Sequence, residues 1–333
     1  DCGPGEEAVM HRNISPNAST QRQRRNIVLG LCVFALIMMV VYNGRSNSNR
    51  NNTNCSSNPS SSSLADGGLG IPEHLALPPV DSRYATTNTL ILVPGHGVYR
   101  GLQPEKDWAL EDSWGLEPFH RGFDGFLIRA FSQHIKKSIE ILRERGTSDA
   151  IVVFSGGQTK DFGPKSEGLS YYLVAEANRL FGVYADDPET AEYVLRHRIF
   201  AEEFARDSYE NLLFSICRFR EITGRYPEKI VVVNWEYKRQ RFEEFHRVAV
   251  RWHLSKFQYI GIDIKDAARS LGQQVPAQMR SLSDAGTLKR VQDDLYLCRV
   301  NLQTRFDRNP QRRVIPYLLS CPEVRGLLTY CGP

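Results

Sequence analysis

The sequence predicts an α/β fold, doubly wound around a mostly parallel sheet and preceded by one transmembrane helix. Three features lead there: four short, continuously apolar runs rich in β-branched residues, amphipathic helical patterns between them, and one uncharged apolar stretch near the N-terminus. Continuous rather than alternating apolar runs mark strands buried on both faces, as in parallel sheets. Strand-helix alternation with short connections then selects the α/β class. The 333 residues are 41% hydrophobic and 24% charged, which excludes wholesale disorder and a multi-span membrane protein. With 42 basic against 38 acidic residues the chain lacks the clustered basic face of a nucleic-acid binder, and no nucleic-acid partner is expected. The seven cysteines form no C-x-x-C pair and no Cys/His cluster at ligand spacing, so no metal site is expected.

The apolar stretch comes first. Residues 27–42 (IVLGLCVFALIMMVVY) carry no charge and would form about 24 Å of helix, somewhat short for a bilayer core of about 30 Å. A buried core helix is disfavoured by polar flanks on both sides, and a cleaved signal peptide by the absence of small residues at A-x-A spacing after Val41. Residues 27–42 therefore read as a signal-anchor whose partner is the lipid bilayer. Arg22, Arg24 and Arg25 precede it more densely than Arg45 and Arg50 follow it. This places residues 1–26 in the cytosol and the bulk of the chain in the lumen, a single-pass type II arrangement. A short span suits the thinner membranes of the endoplasmic reticulum or Golgi. Residues 43–80 read as a disordered stalk, since 15 of the 21 residues from Asn43 to Ser63 are Asn or Ser. Its sequons, Asn51-Asn52-Thr53 and Asn54-Cys55-Ser56, would make a lumenal chain a glycoprotein.

The folded part divides into an α/β domain over residues 81–264 and a C-terminal extension over residues 265–333, packed on the same domain. Strands are expected at Thr89 to Val93, Ala150 to Phe154, Lys229 to Val233 and Phe257 to Ile262. Helical faces are expected from Leu127, Phe131, Ile135, Ile139 and Leu142, ending at Gly146, and from Leu212, Ile216, Phe219 and Ile222, ending at Gly224. Phe242, Phe245, Ala249 and Trp252 make a third face. Ligands of such sheets sit beyond the carboxyl ends of the strands, so the residues following each strand are the site candidates.

After the first strand, Gly95-His96-Gly97 lets backbone approach an anion, or is only a tight turn. It lacks the spacing of a dinucleotide fingerprint. His96 is a candidate acid/base or a polar loop residue. The second strand ends in Ser155-Gly156-Gly157, followed by Ser166-Glu167 at the start of a helix, a pattern that suits an anion held by free amides. The densest polar cluster runs from Glu202 to Asn211. Capping explains Asp207 or Ser208 together with Glu210 or Asn211, and leaves Glu202, Arg206 and Asn211 to a site. After the third strand come Asn234 and a basic run in which Arg241 could fork onto a phosphate or carboxylate, while Lys238 and Arg239 read as a solvated helix face, the commoner fate of a charge run.

Gly-His-Gly, Ser-Gly-Gly with a following Ser-Glu, the segment Glu-x-x-Ala-Arg-Asp-Ser-x-Glu-Asn and a strand followed by Asn-x-x-Tyr-Lys-x-x-Arg together resemble the YdcF/SanA/ElyC-like domain of unknown function. The likeness covers roughly Leu90 to Ile262. It implies a Rossmann-like α/β domain, tethered by an N-terminal membrane segment, and allows S-adenosylmethionine as a ligand. By that likeness Gly95, Gly97, Ser155, Gly156, Gly157, Glu167, Glu202, Asp207, Ser208, Glu210, Asn211 and Arg241 line a shared cleft. Asn234 and Lys238 stand where such domains typically carry Thr and His, and His96 replaces a small residue. In a lumenal chain Cys321 and Cys331 are candidates to pair. The expected function is that of an enzyme, transferase or hydrolase, handling a phosphorylated or nucleotide-like small molecule, with Arg206 or Arg241 on the anion and Asp207, Glu210 or His96 as base. The alternative is a noncatalytic module that binds or senses such a ligand.

Overall fold

The computed structural model describes residues 76–332, apart from residues 124, 277, 278 and 280–283. The expected cytosolic tail, the anchor at 27–42 and the stalk up to residue 75 lie outside the described residues. Among the described residues no helix is long and apolar enough to cross a membrane.

The elements of the α/β core follow in chain order as β1 (Thr89–Pro94), α1 (Phe126–Arg145), β2 (Ala150–Ser155), α2 (Glu167–Ala177), α3 (Pro188–His197), β3 (Ile199–Glu202), α4 (Ser208–Thr223), β4 (Lys229–Trp235) and β5 (Phe257–Ile262). The extension adds α5 (Ile264–Ser270), α6 (Ala285–Asp293) and α7 (Leu302–Asp307). The five strands form one sheet in the order β3-β2-β1-β4-β5, and every neighbouring pair is parallel. Thr89 of β1 stands beside Ala150 of β2 and Lys229 of β4, which aligns the three central carboxyl ends.

Alternation along the strands divides the core in two. Ile91, Val93, Val152, Phe154, Val231 and Val233 pack on α1 and α2 through Phe131, Ile135, Ile139, Tyr171 and Val174. Leu90, Leu92, Ile151, Val153, Ile230 and Val232 pack on α4 through Leu212, Ile216 and Phe219. Helices thus cover both faces, and burial on both sides is why β1, β2 and β4 read as unbroken apolar runs, whereas the edge strand β5 exposes Gln258 and, contrary to expectation, is not buried on both faces.

Two differences from the sequence reading concern local structure. β3 was not expected: it is an edge strand of four residues with only its first and last buried. The third helical face begins as a π-helical turn over Arg241–His246 and continues as a short α-helical turn to Ala249. This puts Phe242 and His246 inside, while Phe245 and Trp252 are only half-buried.

The expected Cys321–Cys331 pairing is corrected as well. Cys331 is bonded to Cys298, with Cα atoms 5.7 Å apart. Cys321 is a buried free thiol, as is Cys217, and its Sγ lies 3.2 Å from the Tyr226 hydroxyl.

Candidate functional site

A cleft of about 640 Å³ opens beyond the carboxyl ends of the strands. β1 delivers Gly95 and His96 to it, β4 delivers Asn234 and Trp235, and the segment after β3 delivers Arg206, Asp207 and Ser208. The extension closes the opposite side with Arg290 from α6, Arg305 from α7 and Arg308. Seven basic and five acidic side chains line the cleft, so its field is positive.

The glycine-rich strand ends serve the main chain. The Gly95 amide donates to Ser155 O at 2.7 Å, that of Gly156 to Glu202 O at 3.0 Å and that of Gly157 to Ala205 O at 2.6 Å. The first turn of α2 is satisfied in the same way: Glu167 N donates to Gly157 O, Gly168 N to Gly156 O, and Leu169 N to the N-cap Ser166 Oγ. The free amides expected at Ser155-Gly156-Gly157 are therefore engaged. What requires glycine here is close approach: a Cβ on Gly156 would stand 2.7 Å from Glu167 Cβ. Charge recognition is left to side chains.

Those side chains form a chain of ion pairs. Asp207 caps α4, accepting from Glu210 N at 2.9 Å, and accepts from Arg305 Nε at 2.6 Å through its other oxygen. Glu210 accepts from the Arg206 amide and Nε at 2.8 and 2.9 Å, and lies 3.4 Å from Arg305. Burial and the nearby Asp207 charge raise the Glu210 pKa. Two of the three residues anticipated as bases, Asp207 and Glu210, thus act in this structure as cap and counter-ions. Arg308 reaches Glu167 at 3.1 Å and Glu117 at 3.0 Å, and Arg241 pairs with Asp284 at 3.0 Å.

Lys238 forms no ion pair among the described residues; its Nζ lies 3.1 Å from His96 Nε2. Burial, then the charge of Arg241, lowers its pKa to about 7. His96 is held well below its usual pKa by burial and by Lys238, so it is neutral and can accept from the lysine. Behind it, His134 is fully buried, with its ring centroid 4.5 Å from that of Trp235, and burial pulls its pKa to about 3. Trp235 and Tyr237 stack with centroids 6.2 Å apart at 15°, and both line the cleft.

Beneath the cleft, Glu202 is fully buried. Its carboxyl meets the amide of Phe204 at 2.8 Å, the Tyr317 hydroxyl at 3.0 Å and Ser155 Oγ at 2.6 Å. Ser155 Oγ also lies 2.9 Å from Asn211 Oδ1. One hydroxyl proton cannot serve two acceptors, and the arrangement closes when Glu202 carries a proton, donates to Ser155 and lets Ser155 donate to Asn211. Burial raises the Glu202 pKa to about 7, in agreement.

Of the residues anticipated from the sequence, Gly95, His96, Glu167, Arg206, Asp207, Ser208, Asn211, Asn234 and Arg241 line the cleft. Gly97, Ser155, Gly156, Gly157, Glu202 and Glu210 lie behind it and position the lining. Sequence reasoning missed Arg305, Arg290, Thr304 and His246. The arginines arrive from the extension, 98 residues along the chain in the case of Arg305 and Asp207. His246 is fully buried, with Nε2 2.8 Å from Ser208 Oγ.

Fold and site together define an α/β protein with a cleft at the carboxyl edge of a parallel sheet, floored by strand ends and lined on the opposite side by arginines. The chain is similar to the uncharacterized protein YOR238W of Saccharomyces cerevisiae, 29% identical over 262 residues that cover 68% of this chain and 86% of that protein. No protein-family model matches the chain, and no solved structure matches it.

Proposed function

We propose that this α/β domain, with the Rossmann-like organisation of the YdcF-like domains it resembles, binds and acts on a phosphorylated small molecule of nucleotide type. The observation that carries this reading is the convergence of Lys238, Arg241, Arg305 and Arg308 on one cleft at the strand ends. Guanidinium forks that donate to carboxylates donate to phosphate oxygens with the same geometry, so a phosphorylated ligand can take the place of Glu117 on Arg308 or of Asp284 on Arg241. The half-buried Tyr237, backed by the buried Trp235, offers an aromatic face to a base or sugar. The tether at residues 27–42 would hold the domain in the lumen of the endoplasmic reticulum or Golgi, a placement supported by the Cys298–Cys331 disulfide, because such bonds persist in oxidising compartments.

The test is a thermal-shift panel on the full chain with pyrophosphate, nucleotides, nucleotide sugars, prenyl phosphates and S-adenosylmethionine, repeated on Arg241→Ala. A ligand at about 100 times its Kd adds about 2.7 kcal/mol, which for a domain of this size is about 5–10 °C. Stabilisation by phosphorylated compounds that is lost in Arg241→Ala is the expected result. A response to S-adenosylmethionine alone would move the reading to a noncatalytic binding module, and a flat panel would refute it.

A further inference from the structure

Besides the contact of Lys238 with His96, a second contact in the cleft lies outside the ion pairs. Ser208 is the first residue of α4 and lines the cleft, with its Oγ 2.8 Å from Nε2 of His246. The helix does not need this hydroxyl, because Asp207 supplies the cap. His246 comes from the π-helical turn, a kind of irregularity common at functional sites. Its ring is held by the edges of Phe242 and Tyr209, at centroid distances of 5.2 and 6.1 Å. Arg241 Nη1 approaches the same serine oxygen at 3.4 Å. The arrangement that uses both contacts has Arg241 donating to Oγ and the serine proton directed at Nε2. The ring's own proton then sits on Nδ1, which has no hydrogen-bond partner among the described residues.

We propose that Ser208 is a nucleophile and His246 its general base in phosphoryl transfer from a phosphate ester or phosphoanhydride, an assignment that rests on the reading of the cleft as a phosphate site. Ser208 Oγ attacks phosphorus while its proton passes to His246 Nε2. A bond forms between phosphorus and Oγ, the bond from phosphorus to the leaving oxygen breaks, and that oxygen takes the bonding pair and then the proton held by His246. Arg241, already at the serine oxygen, and the N-terminal end of α4 face the charge that builds on the transferring group. Water, deprotonated by the same imidazole, then attacks the phosphoserine phosphorus and releases inorganic phosphate and the free serine. A phosphoryl rather than an acyl group fits because Arg241 stands at the serine oxygen and seven basic side chains line the cleft that holds it, whereas an acyl transfer develops a single oxyanion.

The test is labelling of the full chain with diisopropyl fluorophosphate, a neutral phosphorus electrophile that needs no anion site, followed by intact mass and peptide mapping. One adduct is expected, on Ser208, absent in Ser208→Ala and formed at least about 100-fold more slowly in His246→Gln, with both variants melting cooperatively. No adduct on Ser208, or equal labelling of exposed serines such as Ser148 in the unmodified chain, overturns the proposal without recourse to either variant. Labelling at Ser208 in a chain that responds to no phosphorylated ligand keeps the nucleophile and overturns the substrate class. A positive ligand panel without labelling overturns the nucleophile and leaves the cleft reading intact.

Discussion

Replacing Glu202 by Gln isolates a proton that the fold holds in its interior. Glu202 is fully buried, and burial raises its pKa from 4.5 to about 7. Between those values the folded chain keeps a proton that the unfolded chain has released. Folding stability therefore falls as pH rises from 4.5 to about 7, and this contribution levels off above it. The gap corresponds to about 3 kcal/mol, or about 6–12 °C in melting temperature for a domain of this size. Gln has the same shape and cannot ionise, so the variant lacks this fall. The assay is urea unfolding followed by tryptophan fluorescence at intervals from pH 4.5 to 8, with the buried Trp114 and Trp235 as reporters. Subtracting one pH profile from the other cancels the remaining titrating groups, and the difference should grow by about 3 kcal/mol in favour of the variant. A difference that stays flat across this range would show that Glu202 is ionised in the folded chain and that the proton chain through Ser155 to Asn211 is wrong.

Three further perturbations test other parts of the structure. Arg305→Met should destabilise the chain by about 3 kcal/mol in urea unfolding, because Asp207 and Glu210 lose a partner at side-chain exposures of 14% and 4%; an unchanged midpoint would mean that the extension does not hold the cap. Gly168→Ala places a methyl 2.5 Å from both the Glu202 and Phe154 carbonyl oxygens, and a loss of about 1–3 kcal/mol in thermal unfolding is expected, whereas a neutral result would show that α2 can move off the sheet. Cys298→Ala combined with Cys331→Ala opens a loop of 33 residues and should cost about 3.7 kcal/mol by loop-closure entropy, measured by calorimetry against the parent chain under nonreducing conditions.

How much of this was legible in the sequence depended on whether the signal was local. Strands β1, β2 and β4 stood out because each holds an unbroken apolar run, and β5 because its aromatic and β-branched residues outweigh Gln258, while the strand ends located the cleft because its floor is built from residues adjacent to those runs. β3 escaped because Ile199–Glu202 is short, half-exposed at its centre and ends in a carboxylate. The π-helical turn escaped because apolar residues three and four apart announce a helix without fixing its pitch, and it is this turn that carries His246 to Ser208, 38 residues away in the chain. Arg305 and Arg308 had no local signature, since nothing in a short helix of the extension foretells contact with Asp207 or with Arg206 O. The disulfide partner of Cys331 was equally a matter of tertiary placement.

The satisfied glycine amides at the ends of β1 and β2 bear on how such a protein can change over time. A phosphate cradle made of main-chain amides is inherited with the fold, because altering it means altering the backbone. Here the backbone at those positions is tied to itself, and the charged groups that line the cleft are tips of long side chains, several of them on the extension. One substitution at Arg290, Arg308 or Lys238 can redirect the preference for a ligand while sheet, helices and packing stay as they are. Descent of the architecture and descent of the specificity are thereby uncoupled, and two relatives with the same strands can differ in what they hold.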